Sequence, residues 1–257
     1  MATYTTEITS DSIASDNPIH QRLLMPYYQV KNDIYGKLLE VGCGEGRGIE
    51  ILSPHCESYL ALDKITDVIE RLAKTHPNVT FKQAVVPPFE GIESNQFDAV
   101  VSFQVIEHIK NDLSFLQEIF RVLKPGGKLF LTTPNLKKTL TRNPWHIREY
   151  TATELQALVA KVFPKVDMKG ITGNEKVMSY YQQNKRSVER ITRFDIFNLQ
   201  YMLPASILKI PYDILNRFNR NFLHSNNQDL VNDISYHDYL LTDNASESLD
   251  LFVIAEK

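Results

Sequence analysis

The stretch Leu38-Leu39-Glu40-Val41-Gly42-Cys43-Gly44-Glu45-Gly46-Arg47-Gly48 decides the fold of this 257-residue chain. An apolar run ends in a glycine-rich turn, and a helix-like segment, 49–52, follows it. Glycines at every second position let the backbone turn with positive φ and let a ligand approach the main chain closely. Ligands of doubly wound sheets lie beyond the carboxyl ends of the strands, at such a turn. The stretch therefore predicts the first strand, loop and helix of an open α/β sheet, with a ligand site at the loop.

The spacing of the glycines distinguishes between ligands. A dinucleotide fingerprint reads G-x-G-x-x-G, and counting from Gly42 its third glycine would fall at Arg47. The pattern here is E-x-G-x-G-x-G, led by Glu40. A carboxylate there suits a ligand with an ammonium group and repels a pyrophosphate. A nicotinamide-dependent oxidoreductase is therefore disfavoured, and it is kept as an alternative.

Later segments continue the same plan. A second strand, 58–63, ends in Asp63, about 20 residues past the glycines, where a carboxylate can accept both hydroxyls of a ribose. The run 97–135 contains the segments I-E-H-I and R-V-L-K-P-G-G. With the glycine loop, these residues resemble the class I S-adenosylmethionine-dependent methyltransferases, in particular the type 11/23-like subgroup. The resemblance implies a Rossmann-like, seven-stranded mixed sheet that binds S-adenosyl-L-methionine and releases S-adenosyl-L-homocysteine.

The resemblance also implies a set of cofactor-binding residues. They are Glu40, Gly42, Cys43, Gly44, Gly46, Asp63, Lys64, Val85 and Gln104. Glu40 would hold the methionine ammonium, directly or through water, and Asp63 the ribose. Gln104 falls at the end of strand four, where the reacting methyl group should lie. Ala84 departs from the family pattern, because it cannot receive the adenine amino group, so Gln83 or backbone groups around Val85 must substitute. For Asp63 the alternative is an N-cap of the following helix.

Two histidines are candidate catalytic bases. His108 opens the predicted helix after strand four, where a neutral imidazole near the methyl group could take a proton from a hydroxyl acceptor. The alternative is that His108 caps or packs that loop. His146 is the second candidate and lies in a long polar loop, 135–150. No metal-ligand spacing is present, so the sequence predicts no metal.

Three further residues are candidate substrate contacts. The segment N-P-W-H-I-R-E-Y-T, 143–151, resembles a segment of one methyltransferase subgroup, and loops at strand ends often carry function. Trp145 and Arg148 are therefore predicted to form a wall of the acceptor site, with Arg148 as an anion anchor. Alternatively, Arg148 pairs with Glu149 or ties down the loop. Tyr28, on a predicted helix 18–30, is a candidate lid residue, with core packing as its alternative.

The segment 174–247 is predicted to be a helical insertion before the last strand, within a single methyltransferase domain, 1–257. Apolar residues recur at helical spacing along two stretches, Val188–Tyr201 and Ile207–Phe222. Between Lys176 and Phe222, eight Lys or Arg face three Asp or Glu, a local charge of +5. We expect a cap whose apolar face packs on the sheet domain. Peripheral contact with a membrane surface is the alternative.

Composition bounds the remaining functions. The formal charge of −3 gives no electrostatic reason to expect a nucleic-acid partner. Two cysteines indicate neither a disulfide framework nor a zinc cluster, and the polar arm 1–16 lacks an apolar signal core. A cytoplasmic location is the expected default. The resemblance implies methyl transfer to a small molecule or a carrier-linked glycan or lipid, with a non-catalytic cofactor-binding protein as the alternative.

Overall fold

A computed structural model of the chain describes residues 13–195 and 198–257, so most of the predicted N-terminal arm and Phe197 lie outside the described residues. The strands are β1 (Lys37–Val41), β2 (Ser58–Asp63), β3 (Thr80–Gln83), β4 (Phe97–Phe103), β5 (Leu123–Pro134), β6 (Lys165–Gly173), β7 (Tyr239–Thr242) and β8 (Asp250–Glu256). The helices are α1 (Asn17–Val30), α2 (Ile49–Leu52), α3 (Thr66–Thr75), α4 (Asp112–Val122), α5 (Ala152–Val159), α6 (Glu175–Thr192), α7 (Leu199–Met202), α8 (Ala205–Asn226) and α9 (Gln228–Asp233).

The strands form one mixed sheet in the order β3-β2-β1-β4-β5-β8-β6-β7. Strands β1 to β5 pair in parallel, and β8 runs antiparallel between β5 and β6. The α/β class and the reversed last strand are as predicted. The sheet has an eighth strand within the described residues, because Leu240 and Leu241 in the predicted insertion pair with the outer edge of β6.

Side chains that alternate along the strands build a core on each face of the sheet. Leu38 and Val101 belong to the cluster covered by α1 to α3 and by the insertion, whereas Leu39 and Val100 belong to the cluster covered by α4 and α5. Neighbouring residues of a strand point to opposite faces, which explains the division. The residues Thr151 to Glu154 predict a capping box, which the structure contains and which fixes the start of α5.

Two local expectations are wrong. His108 does not open a helix, because it ends a short 3-10 turn, Ile106–His108, and α4 starts only after the Asn111 cap. The polar Asn111 side chain accepts from the Ser114 N–H and delays the helix. The run 79–86 predicts a third strand of that length, but β3 covers only Thr80–Gln83, and Pro87 and Pro88 beyond it cannot donate to a sheet ladder.

The insertion contains four helices and the added edge strand within the described residues. Its first apolar stretch does not form one helix, because α6 ends at Thr192. The expected packing of the second stretch is also wrong: α8 turns this stripe to solvent and buries a different face. The exposed residues, at 46–71% of their surface, are Ile207, Ile210, Ile214, Phe218 and Phe222. Among the described residues, no helix is both long and apolar enough to cross a membrane.

Candidate active site

The glycine loop begins where β1 ends, and its first glycine has a steric requirement. Gly42 has φ of +82°, and a Cβ there would lie 2.3 Å from Cγ2 of Val105. The N–H groups of Gly42 and Cys43 both donate to the Leu62 carbonyl, at 2.8 and 3.0 Å. The loop is therefore fixed to the end of β2, and a side chain at position 42 would push it away from the loop after β4.

Gly46 serves a different purpose in the same loop. Its φ is +84°, and a Cβ would meet Leu72 and Ile49 at 2.7 and 2.9 Å. The glycine allows the loop to pack closely on α2 and α3. Gly46 does not line the neighbouring cavity, so its contact with a cofactor stays a prediction.

Asp63 joins the end of β2 to the glycine loop. Its Oδ2 accepts from the Gly44 N–H at 2.9 Å, and its Oδ1 accepts from the Ile65 N–H at 3.0 Å. The alternative of a helix cap is not what the structure contains, because α3 has Ile65 as its N-cap residue and no side-chain cap. Asp63 is 9% exposed and lines a cavity, where its carboxylate can accept hydroxyl groups of a ligand.

Glu40 lies behind this cavity. Its carboxylate is buried and accepts hydroxyl donors from Tyr27 at 2.7 Å and from Tyr59 at 2.6 Å. Burial raises the pKa of Glu40, and the two tyrosine hydroxyls oppose that shift. Tyr27 lines the cavity and Glu40 does not, so Tyr27 connects the carboxylate to the ligand site. The sequence did not identify this role of Tyr27, because a buried tyrosine has the same apolar pattern as core residues.

The cavity beside the loop has a volume of about 250 Å³ and collects most of the predicted cofactor residues. Those that line it are Gly42, Cys43, Gly44, Asp63, Lys64, Val85 and Gln104. It combines close main-chain approach at the glycines with a carboxylate at the end of β2. This donor and acceptor set fits S-adenosylmethionine, which carries vicinal ribose hydroxyls.

A second, larger cavity of about 740 Å³ lies between the sheet domain and the insertion. Apolar side chains from α6 and α8, among them Val188, Ile191, Leu208 and Leu215, form part of its wall. The loop after β5 contributes polar groups, including His146. A volume between about 300 and 1,000 Å³ with an apolar lining and a few polar groups is typical of a small-molecule site.

The two cavities meet at Leu23, Gln104 and His108, which line both. At this junction the main chain of Gln104 is in the left-handed conformation, with φ of +58°. Its N–H donates to the Thr132 carbonyl at 2.9 Å, and its Nε2 lies 3.3 Å from the Thr132 hydroxyl. The main chain therefore turns at the point where contents of one cavity would meet those of the other.

His108 has a defined proton position at this junction. Its Nδ1 lies 2.9 Å from the Trp145 carbonyl oxygen. A carbonyl can only accept, so Nδ1 carries the proton and Nε2 carries the lone pair in the neutral ring. His108 thus ties the loop after β5 to the turn after β4, as the packing interpretation expects, and its role as a base stays a prediction.

His146 lies next to it, with ring centroids 5.0 Å apart in an edge-to-face arrangement. Its Nδ1 is 2.6 Å from Oε1 of Glu149, and its Nε2 is 2.8 Å from the Asn143 side-chain nitrogen. The carboxylate accepts the Nδ1 proton, and the amide donates to Nε2. Both histidines are therefore oriented with Nδ1 as donor and Nε2 as acceptor.

Glu107 was not predicted as a site residue, yet it lines the larger cavity between these histidines. Its Oε2 accepts from the Thr133 hydroxyl at 2.9 Å, and its main-chain carbonyl accepts from the Ile147 N–H at 2.8 Å. Burial raises the pKa of Glu107 to about 7, although His146 nearby opposes the shift. The only signal in the sequence was that Glu107 directly precedes the candidate base His108.

The structure does not bring the three predicted substrate residues into the larger cavity. The Trp145 indole donates to Asp213 at 3.1 Å on α8, and Arg148 pairs with Asp112 rather than with Glu149. Tyr28 stacks on Tyr236 with centroids 3.8 Å apart. All three hold elements together in these positions, and their contact with an acceptor stays a prediction.

Comparison with known proteins agrees with this geometry. Residues 39–131 match the family model of a methyltransferase domain. A probable S-adenosylmethionine-dependent methyltransferase from Mycolicibacterium smegmatis is 31% identical over 161 residues, covering 60% of this chain and 62% of the relative. The mitochondrial ubiquinone biosynthesis O-methyltransferase of Rattus norvegicus is 36% identical over 107 residues, covering 38% and 31%. The chain thus spans less than two thirds of the length of these curated relatives.

Solved structures include the same architecture. A crystal structure of an S-adenosylmethionine-dependent methyltransferase from Thermotoga maritima superposes with a TM-score of 0.57. The superposition covers 93% of this chain and 91% of the Thermotoga maritima protein, and the two sequences are 13% identical. At that identity the likeness concerns the fold, including the part of the chain outside the matched family segment.

Proposed function

We propose that this chain is a class I S-adenosylmethionine-dependent methyltransferase that transfers a methyl group to an acceptor held in the larger cavity. The observation that carries the proposal is the junction, because Gln104 and His108 line both the cofactor-side cavity and the cavity under the insertion. Two ligands bound there would meet at these residues. The arrangement suits a reaction between two bound molecules.

S-adenosylmethionine supplies a methyl group that its sulfonium already activates. In the transfer, a bond forms between the methyl carbon and the acceptor atom while the carbon–sulfur bond breaks and its electron pair stays on sulfur. The protein's contribution is then mainly positional, which supplies several kcal/mol and up to about 7–11 kcal/mol in ideal cases. Asp63, Tyr27 and the glycine loop hold one partner, and the walls of the larger cavity hold the other.

An oxygen acceptor is supported by the histidines at the junction. A hydroxyl acceptor must lose its proton, and His108 offers the lone pair of Nε2. The names of relatives such as the rat ubiquinone biosynthesis O-methyltransferase are consistent with transfer to oxygen.

The cavity also supports an acceptor with a sizeable apolar part. Its volume of about 740 Å³ and its apolar wall, including Ile191 and Leu208, suit a hydroxylated aromatic or lipid-like molecule. Polar side chains such as Lys138, Asn184 and Asn219 line the same cavity and offer partners for hydroxyl groups. We therefore favour an acceptor that has both an apolar part and polar groups, either a small molecule or a lipid-linked one.

Labelled methyl transfer tests the proposal. Purified protein is incubated with S-adenosylmethionine labelled in its methyl group and with fractionated small-molecule extract, and the label is followed into organic-phase products. We expect label in a hydroxylated apolar fraction, and its loss in Asp63→Ala. Binding of S-adenosylhomocysteine without any transfer would favour the non-catalytic alternative. Tighter binding of NADH than of S-adenosylhomocysteine would favour the oxidoreductase.

A further inference from the structure

Three side chains that the proposed transfer does not fully use converge at the floor of the larger cavity. One ligand-type atom from each of Glu107, His108 and His146 lies within 4.8 Å of those from the other two. Glu107 is buried, and the two histidines are half-buried. Two imidazoles and a carboxylate are the ligand types of many three-residue catalytic metal sites, which keep an open position for substrate.

The surroundings of these side chains match those of metal ligands. A ligating histidine usually donates its second ring N–H to a carboxylate or a main-chain carbonyl, which orients the ring. His108 has the Trp145 carbonyl 2.9 Å from Nδ1, and His146 has Glu149 2.6 Å from Nδ1. The Thr133 hydroxyl supports the Glu107 carboxylate in the same way, at 2.9 Å.

The buried carboxylate of Glu107 also lacks a full compensating positive charge in the contacts described above. An ionised carboxylate removed from water requires a compensating charge, and a divalent cation would supply it. Nε2 of His146 accepts from the Asn143 amide at 2.8 Å, and this hydrogen bond must break for the nitrogen to bind an ion. The ligand atoms lie up to 4.8 Å apart, so the most separated of them must approach by roughly 1 to 2 Å to reach the spacing of about 3 to 4 Å that metal–ligand distances near 2.1 Å require.

We propose that Glu107, His108 and His146 bind a divalent transition-metal ion that takes an oxygen atom of the acceptor as a further ligand. This inference rests on the proposed function for its chemistry but not for its detection. A metal-bound hydroxyl has a lowered pKa and loses its proton to solvent water, which leaves the oxygen ready to accept the methyl group. The metal, rather than a histidine base, would then activate the acceptor, and the two imidazoles would hold the metal.

Zinc binding to the untagged, chelator-treated protein tests the site without any acceptor. Calorimetry with Zn²⁺ in the presence of S-adenosylhomocysteine should give one ion per chain. Glu107→Gln, His108→Ala and His146→Ala should each weaken that binding at least tenfold, and Glu149→Gln should also weaken it. His76→Gln is the matched control, since His76 pairs with Glu50 at 3.2 Å and lines neither cavity.

The outcomes separate this inference from the proposed function. Affinity for S-adenosylhomocysteine in every variant reports whether it still folds. Absence of saturable Zn²⁺ binding by the wild type, or equal binding by the three variants, would overturn the metal site while leaving methyl transfer standing. Loss of S-adenosylhomocysteine binding by the wild type itself would instead overturn the proposed function.

A second inference comes from a separate surface, the exposed apolar stripe of α8. This stripe runs along α8, a helix of 22 residues that is about 33 Å long. Its members are Ile207, Ile210, Ile214, Phe218 and Phe222. The exposed side chains of Tyr201 and Met202, at 64% and 75%, precede it in the chain. Apolar patches of this extent on a protein surface mark contact sites.

The charges near the stripe indicate what covers it. Lys185, Arg186, Arg190 and Arg193 are all exposed on and just beyond the second half of α6, which packs on α8. Arg193 lies over the ring of Phe194, 5.2 Å from its centroid, and Phe194 is 75% exposed. Apolar side chains bordered by basic ones are typical of helices that lie in the interface of an anionic bilayer.

We infer that α8 and the end of α6 dock on an anionic membrane surface. Co-sedimentation with phosphatidylcholine vesicles, with and without phosphatidylglycerol, tests this. Binding should require the anionic lipid and should fall at least tenfold in the double variant Ile214→Ser with Phe218→Ser, and in Arg190→Glu with Arg193→Glu. Tyr35→Ser, an exposed residue outside the insertion, is the control.

Two results would overturn this second inference. One is a failure of the wild type to sediment with anionic vesicles. The other is a dimer in solution that the double apolar variant converts to a monomer, because a second copy of the chain would then cover the stripe. Cofactor affinity measured on the same samples separates either result from misfolding.

Discussion

Tyr27 donates its hydroxyl to the carboxylate of Glu40 across 2.7 Å, so that α1 and β1 share a buried hydrogen bond at the edge of the cofactor cavity. Tyr59 donates to the other oxygen of the same carboxylate. Glu40 is therefore fixed by two phenols before any ligand binds. Tyr27 lines the cavity and Glu40 does not, so the carboxylate lies behind the phenol.

Replacement of Tyr27 by Phe should weaken both the fold and cofactor binding. The buried carboxylate loses a donor, which costs about 1–3 kcal/mol in the free energy of unfolding. Urea denaturation and calorimetry with S-adenosylhomocysteine measure the two effects. Tyr28→Phe is the neighbouring control, since Tyr28 stacks outside both cavities. Equal behaviour of the two variants would mean that the Tyr27 hydroxyl has no part in cofactor binding.

Asp63→Ala should weaken binding of S-adenosylhomocysteine at least tenfold. The ribose hydroxyls lose a charged acceptor, at a cost of roughly 1.5–3 kcal/mol, and the Gly44 N–H loses its partner. Calorimetry measures the change, with Asp67→Ala on the exposed start of α3 as control. An unchanged dissociation constant would assign the ribose to another residue.

The insertion is held to the N-terminal segment by Asp16, and the Asp16→Asn variant should be strongly destabilised. Asp16 is fully buried and lies 2.7 Å from Arg217 and 3.1 Å from Arg220 of α8. Its loss leaves guanidinium groups without their counter-charge, at a cost of about 3–5 kcal/mol in the free energy of unfolding. Asp33→Asn, which breaks an exposed pair with Lys128, should cost less than about 1 kcal/mol. Similar urea midpoints for Asp16→Asn and Asp33→Asn would show that Asp16 does not hold the insertion to the N-terminal segment.

The carboxylate of Asp238 makes the stability of the insertion depend on pH. Burial alone would raise the pKa of Asp238, but donors from the Ser235 N–H, Lys176 and Asn174 outweigh it and lower the pKa to about 2. Because the folded-state value lies below the ordinary one, the stabilisation is present at neutral pH and is lost as the pH falls toward 2. Asp238→Asn should cost about 1–2 kcal/mol near pH 7, after allowance for solvent screening, and the difference should shrink between about pH 5 and pH 3. Urea unfolding of both proteins across that range measures it, and a constant difference would refute the assignment.

Amide exchange should be faster in α7 and in the first half of α8 than in β4 and β5. The side chains of Tyr201, Met202 and Ile210 are exposed, whereas the central strands are covered on both faces. Local opening costs less free energy where few apolar groups are buried. Hydrogen exchange read by mass spectrometry distinguishes the regions, and uniformly slow exchange would indicate that the insertion is a rigid cap.

The sequence predicted the cofactor half of the molecule well because local rules determine it. Glycines that need positive φ, strands buried on both faces and a carboxylate at a strand end each leave a readable pattern. The apolar run 97–103 predicts a strand, and β4 has the same bounds in the structure. The pairing of Glu40 with two tyrosines left no sequence pattern, because Tyr27 and Tyr59 are 32 positions apart. They reach the same carboxylate only in the folded chain.

The acceptor half was predicted less well, for a physical reason. The spacing of Ile207, Ile210 and Ile214 indicates a helix face but not which side of the helix meets the core. Buried Asp16 decides that question by drawing Arg217 and Arg220 inward, and charged residues are poor sequence markers of an interior. His108 and His146 were named from the sequence, but Glu107 and the proximity of the three side chains were not, since they come from two loops that β5 brings together.

The cofactor-side cavity and the helices of the insertion come from different segments of the chain, which has a consequence for protein engineering. The cofactor cavity is lined by residues 23–109, whereas α6 and α8 enter the chain only after β6. A segment joined to the sheet at Gly173 and Tyr239, two paired positions of β6 and β7, is a natural unit of exchange. Under the proposed function, replacing residues 174–238 by the corresponding segment of a known methyltransferase would change the acceptor, while the residues that line the cofactor-side cavity stay the same.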